Sequence, residues 1–120
     1  MGTFENHKNL YFGFKEDAEN DNLNEISRVE LYFLSIFHLI EACAAKNRIH
    51  INKHQRVRKM LEDNTQIFGS QTRSIWTLFQ EIENKLRPKF TYGFSWKIED
   101  FNKVKEIFEK LEFICLKVIL

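Results

Sequence analysis

Four histidines and two cysteines are the residues of this 120-residue chain best suited to chemistry, and their spacing decides what each can do. His38 and Glu41 stand three apart, with Ser35 three before His38, so on a helix they form one narrow polar stripe. That pair offers either a general base with an orienting carboxylate or a hydrogen-bonded polar feature within a core. His50 and His54 are four apart, which on one helix would suit two metal ligands. Asn52 falls between them as a helix cap and no third ligand is near, so neither a metal nor another cofactor is expected. Cys43 and Cys115 lie in apolar helical patterns without a short-spaced partner, and read as free core thiols in a reducing, cytoplasmic setting. The chain holds no glycine-rich phosphate loop, nucleophile elbow or paired-acid motif.

Charge carries a second signal. The total is only +1, but residues 1–30 hold seven acids and three bases, while residues 31–61 hold one acid and six bases. Lys46, Arg48, Lys53, Arg56, Arg58 and Lys59, with His50 and His54, occupy an acid-free run from 42 to 61. Such a run suits phosphate oxygens through arginine forks and free backbone donors. It equally suits a solvated face, or one that pairs with the acidic N-terminal third.

Holding these residues requires a folded domain. The apolar fraction of 43%, with twelve phenylalanines, one proline and four glycines, fits one compact domain over residues 1–120 and excludes disorder or a collagen-like repeat. No stretch reaches the roughly 18 uninterrupted apolar residues of a membrane helix, so no membrane association is expected. Residues 1–22 show no sustained period and read as an arm or short helix. From 23 to 47, Ile26, Val29, Phe33, Ile36, Phe37, Ile40 and Cys43 repeat at threes and fours, and the helix they form is apolar nearly all round. Asn52 and Gln55 give a capping box for a basic helix over 53–63. Ile75, Trp76, Phe79, Ile82 and Leu86 mark a third helix, which Pro88 is expected to end. An aromatic connector over 89–96 then leads to a last helix over 98–119 with Phe101, Phe108 and Leu111 on its apolar stripe, and these three with Phe33, Phe37, Ile40, Phe79 and Ile82 are the expected core. The fold class is all-α: a four- to five-helix up-and-down antiparallel bundle. The apolar surface of the central and last helices predicts a homodimer.

Two stretches carry a family resemblance. Residues 32–64, YFLSIFHLIEACAAKNRIHINKHQRVRKMLEDN, resemble the central helix pair of HEPN domains (higher eukaryotes and prokaryotes nucleotide-binding), and RPKFTYGFSWKIEDF, residues 87–101, is similar to the segment before their last helix. The resemblance implies a dimeric helical bundle that is either a metal-independent ribonuclease of toxin–antitoxin or antiviral type, or a non-catalytic partner of a nucleotidyltransferase. The ribonucleases carry an Arg followed after four to six residues by His. Arg87 stands at about that place, but the spacing reaches Tyr92, Gly93 and Phe94, so the histidine is missing. The expectation is therefore a non-catalytic RNA- or nucleotide-binding module, with Arg48, His50, Lys53, His54, Arg56, Arg58, Arg87 and Tyr92 as ligand-binding residues. The alternative is a ribonuclease with an atypical site formed where two chains meet, from Arg48, His50 and His54 with Tyr92 or Arg87, in which Arg48 and His54 are the catalytic candidates. A helix-turn-helix over 53–63 fits less well, because its connection to the next helix is too long.

Overall fold

The computed structural model describes residues 3–93 and 95–120. Helix α1 spans Phe4–Ala18, α2 Glu25–Ala45, α3 Val57–Asp63, α4 Thr72–Gln80, α5 Arg87–Thr91 and α6 Ile98–Ile119. A π-helical stretch, Glu81–Leu86, joins α4 to α5 without a break, so these three form one rod. The fold is an all-α bundle of four long rods, α1, α2, α4–α5 and α6, with the short α3 in the connection from α2 to α4. No strand occurs among the described residues.

Side-chain contacts fix the directions of the rods. Along α1, His7, Tyr11 and Ala18 meet His38, Ser35 and Arg28 of α2, so the two run antiparallel. Glu30 meets Arg87, and Phe37 meets Phe79, which sets α4–α5 antiparallel to α2. Lys89 of α5 pairs with Asp100 at the start of α6, a tight reversal. α6 consequently runs parallel to α2, with Tyr32 against Phe108 and Cys43 against Cys115. The core has α2 at its centre: Val29, Phe33, Ile36, Leu39, Ile40 and Cys43 are all wholly buried. Asn24 starts α2 by accepting the Ser27 N–H at 2.8 Å, satisfying one of the donors that a helix leaves free at its start.

One expectation is resolved and two are corrected. Residues 1–22 hold a full 15-residue helix, capped by Thr3, whose buried face of His7, Tyr11 and Ala18 was hidden by its polar aromatic members. Asn52 does not cap a helix from Lys53. It adopts φ 70°, Lys53 is extended, and a 3-10 turn, His54–Arg56, leads into an α-helix only at Val57. Pro88 does not end its helix either. A proline within a helix removes a donor and crowds the carbonyl four residues earlier; the wider π turns just before it accommodate that ring, and the helix continues to Thr91. The aromatic connector shortens accordingly, with Phe90 buried and stacked on Trp96 at 4.9 Å; Phe94 lies outside the described residues.

The expected core residues Phe33, Phe37, Ile40, Phe79, Ile82, Phe101, Phe108 and Leu111 are all buried. Phe33 has no exposure and stacks on Phe79 at 5.4 Å. Phe33→Ala should cost about 3–5 kcal/mol in denaturant unfolding, whereas Phe12→Ala, at a side chain 51% exposed, should change stability by less than about 0.5 kcal/mol. Equal costs at the two positions would refute this packing.

Candidate functional site

Three of the expected site residues meet in one cleft. Buried Ile51 anchors the chain after α2, and buried Val57 anchors the start of α3, so the turn between them holds His54 against the bundle. Its ring stands edge-on to Phe33 at 5.1 Å and to Phe37 at 6.1 Å. Across from it, the π-helical stretch and α5 present Glu83, Asn84, Arg87, Pro88, Thr91 and Tyr92, and with His54 and Gln55 these line a cleft of about 300 Å³. His54 Nδ1 lies 2.6 Å from Glu83 Oε2. If Nδ1 carries the proton, it donates to the carboxylate and Nε2 is left with a free lone pair, the tautomer that a general base requires.

Arg87 is held firmly. Its Nε and Nη2 donate to Glu30 at 2.8 and 3.0 Å, and its guanidinium lies 4.4 Å over the Phe33 ring. The Glu30 carboxylate raises its pKa further, so the cation is permanent. Two of its five N–H donors are committed to Glu30, and the others remain for a ligand. Tyr92 stands at the rim, 71% exposed.

The other expected ligand residues do not enter the cleft. Arg48, at φ 61°, Lys53 and Arg56 are exposed and make no ion pair among the described residues. Arg58 lies 4.0 Å over the Trp76 ring and 3.5 Å from Glu62, a surface packing role. His50 is half-buried near Glu41, whose charged form it favours. Glu83 and Glu30 were missed by the sequence reading. Glu83 stands four before Arg87 on one helical rod, a spacing that could have flagged it, while nothing in the sequence links Glu30 to Arg87, 57 residues away.

A separate polar group lies between α1 and α2. The buried Ser35 hydroxyl donates to the Tyr11 carbonyl at 2.9 Å. His7 and His38 approach Nδ1 to Nδ1 at 3.0 Å, one ring donating to the other. Glu41 Oε2 lies 3.5 Å from His7 Nε2 and accepts the Asn52 N–H at 3.3 Å. The pairing of His38 with Glu41 expected from the sequence is thus loose, at 3.9 Å, and His7 stands between them. At the far side of α1, the buried Tyr11 hydroxyl donates to Glu112, which also pairs with Lys15 at 2.7 Å. Burial raises the Tyr11 hydroxyl, keeping it a donor at any ordinary pH. Both cysteines are free and buried, and the Cys43 thiol donates to the Cys115 carbonyl at 3.4 Å.

Comparison of the chain with families of known proteins, with curated proteins and with solved structures finds no match. Among the described residues no helix is long and apolar enough to cross a membrane.

Burial, and then the neighbouring His7, push His38 from 6.5 down to about 4. Between those values the unfolded chain binds the proton and the folded chain does not. The contribution of His38 is therefore complete above pH 6.5 and is lost as the pH falls toward 4. At about 1.4 kcal/mol per pH unit, the loss is at most about 3 kcal/mol. Glu41 opposes it: burial raises its carboxyl, so ionisation costs stability as the pH rises above 4.5. In metal-free buffer, the difference in unfolding free energy between the parent and His38→Gln should rise with pH across this window. A difference that stays flat would show that His38 does not titrate as packed.

Proposed function

We propose that this chain binds a nucleotide or single-stranded RNA, stacking a base on Tyr92 and holding phosphate on Lys53 and Arg56, which flank the cleft-lining His54 and Gln55. The observation that carries the reading is that His54, far in sequence from Arg87 and Tyr92, lines with them one cleft of about 300 Å³ with an exposed aromatic ring at its rim. Electrostatics favours the rim over the floor as the place for phosphate. Glu83 and Glu30 offset the positive charge of Arg87 within the cleft, whereas Arg48, Lys53 and Arg56 present exposed charge that no carboxylate among the described residues pairs with. The reading agrees with the HEPN resemblance, and includes the homodimer and the nucleotidyltransferase partner which that resemblance implies, in the cytoplasm that two free thiols suit.

A second reading, catalysis, is favoured by one contact, the 2.6 Å approach of Glu83 to His54 Nδ1. A carboxylate that orients an imidazole is the usual preparation of a general base, and an Arg87 donor would stabilise the charge that develops on a phosphate. Arg48 lies outside this cleft, so a ribonuclease built here uses Arg87 in its place.

Fluorescent single-stranded RNA, titrated at several salt concentrations, tests both readings. Lys53→Ala and Arg56→Ala should each weaken binding and lower the logarithmic salt slope by roughly one unit. Tyr92→Ala should cost about 1–3 kcal/mol at every salt concentration, and Lys103→Ala should do neither. Equal loss at Lys103 would reduce the effect to diffuse attraction. Cleavage of the same RNA without metal, lost in both His54→Ala and Glu83→Gln, would decide for the enzyme. Light scattering should give twice 14.5 kDa.

A further inference from the structure

We propose that His7, His38 and Glu41 form a binding site for a divalent first-row transition metal of the Zn²⁺ type, which clamps α1 onto α2. One ligand atom from each residue can be chosen so that all lie within 4.8 Å of one another. The site is separate from the His54 cleft and independent of the function proposed there.

The donor set and its geometry argue for this class of ion. Two imidazoles and one carboxylate suit Zn²⁺ and its neighbours rather than Mg²⁺ or Ca²⁺, which prefer oxygen ligands. Donors bound at about 2.0–2.1 Å in a tetrahedron lie about 3.4 Å apart. Two approaches from His38 Nδ1 bracket that value, 3.0 Å to His7 Nδ1 and 3.9 Å to Glu41 Oε1, while the 3.5 Å contact of His7 with Glu41 is made by the other ring nitrogen, Nε2, to the other carboxylate oxygen. Slight ring rotation would let the two nitrogens share a cation in place of a proton. The surroundings also suit a metal. His7 and Glu41 are buried, with residue exposures of 7% and 4%, and the Asn52 N–H holds the Glu41 carboxylate from behind, as an outer-shell donor does. Phe14 stacks on His38 at 5.7 Å, and the His38 side chain keeps 17% exposure, which leaves a path for the ion and for a water at the fourth position. His38 and Glu41 come from one helix at three-residue spacing, and His7 comes from another, so the ion would cross-link the bundle.

The full-length chain, stripped with chelator, would be titrated with Zn²⁺ against a chromophoric competitor, with Mg²⁺ in parallel. One Zn²⁺ per chain is expected, and a hundredfold excess over Kd should raise Tm by about 5–10 °C. Hydrogen exchange should slow in α1. Co²⁺ should give visible absorption bands of a low-symmetry nitrogen and oxygen site. His38→Gln and Glu41→Gln should each weaken binding by at least about 100-fold, while His54→Gln should bind as the parent does. Because the Co²⁺ spectrum and stoichiometry are read on the unaltered chain, the proposal stays exposed even if a variant fails to fold. No stoichiometric binding by the parent, or binding that survives at His38→Gln and disappears at His54→Gln, would overturn it.

Discussion

Helix α2 can exist in water only if every side of it is covered, and the placement of the other elements follows from that requirement. Each large apolar side chain removed from solvent contributes about 1.5–3 kcal/mol, and α2 commits Val29, Phe33, Ile36, Leu39, Ile40 and Cys43 completely. Three rods meet the demand within one chain. α1 lies along one flank, α4–α5 stacks Phe79 on Phe33, and α6 sets Phe108 against Tyr32. Because α1 covers a flank that would otherwise need a second copy, a homodimer is not required to bury α2. Any dimer must be driven by other surfaces.

The same constraint explains why polar residues collect where they do. Ser35, His38 and Glu41 interrupt the apolar surface of α2, and a buried polar group without a partner is costly. α1 answers each of them: the Tyr11 carbonyl takes the Ser35 hydroxyl, and His7 stands between His38 and Glu41. Among the described residues no buried side-chain polar atom lacks a partner. The stripe that suggested a catalytic pair from spacing alone is therefore the seam along which two helices are matched. At one point on that seam the matched groups are also the ligands we propose for a transition metal.

The cleft on the other side depends on a local irregularity. Pro88 cannot sit in a regular α-helix without crowding the preceding turn. The π-helical stretch that accommodates it carries Glu83, and Arg87 follows directly after it. Glu83 thereby reaches His54, and Arg87 reaches Glu30. The strain that sequence rules assign to a helix end becomes the wide turn that lines a cleft.

The sequence alone determined the helical class, the central and last helices and the eight core positions, because apolar residues at threes and fours encode a face whatever it packs against. It also located His54, Arg87 and Tyr92 as residues of interest, but joined them only across two chains and not in one cleft of a single chain. Helix α1 was hidden because its inward face is built from His7, Tyr11 and Ala18, which do not read as an apolar stripe until α2 is placed beside them. Glu83 beside His54, Glu30 beside Arg87 and His7 beside His38 are 29, 57 and 31 residues apart in the chain. No local periodicity specifies such pairs. They arise from helix direction and register, which are set by the packing of whole rods, and so only the tertiary structure decided them.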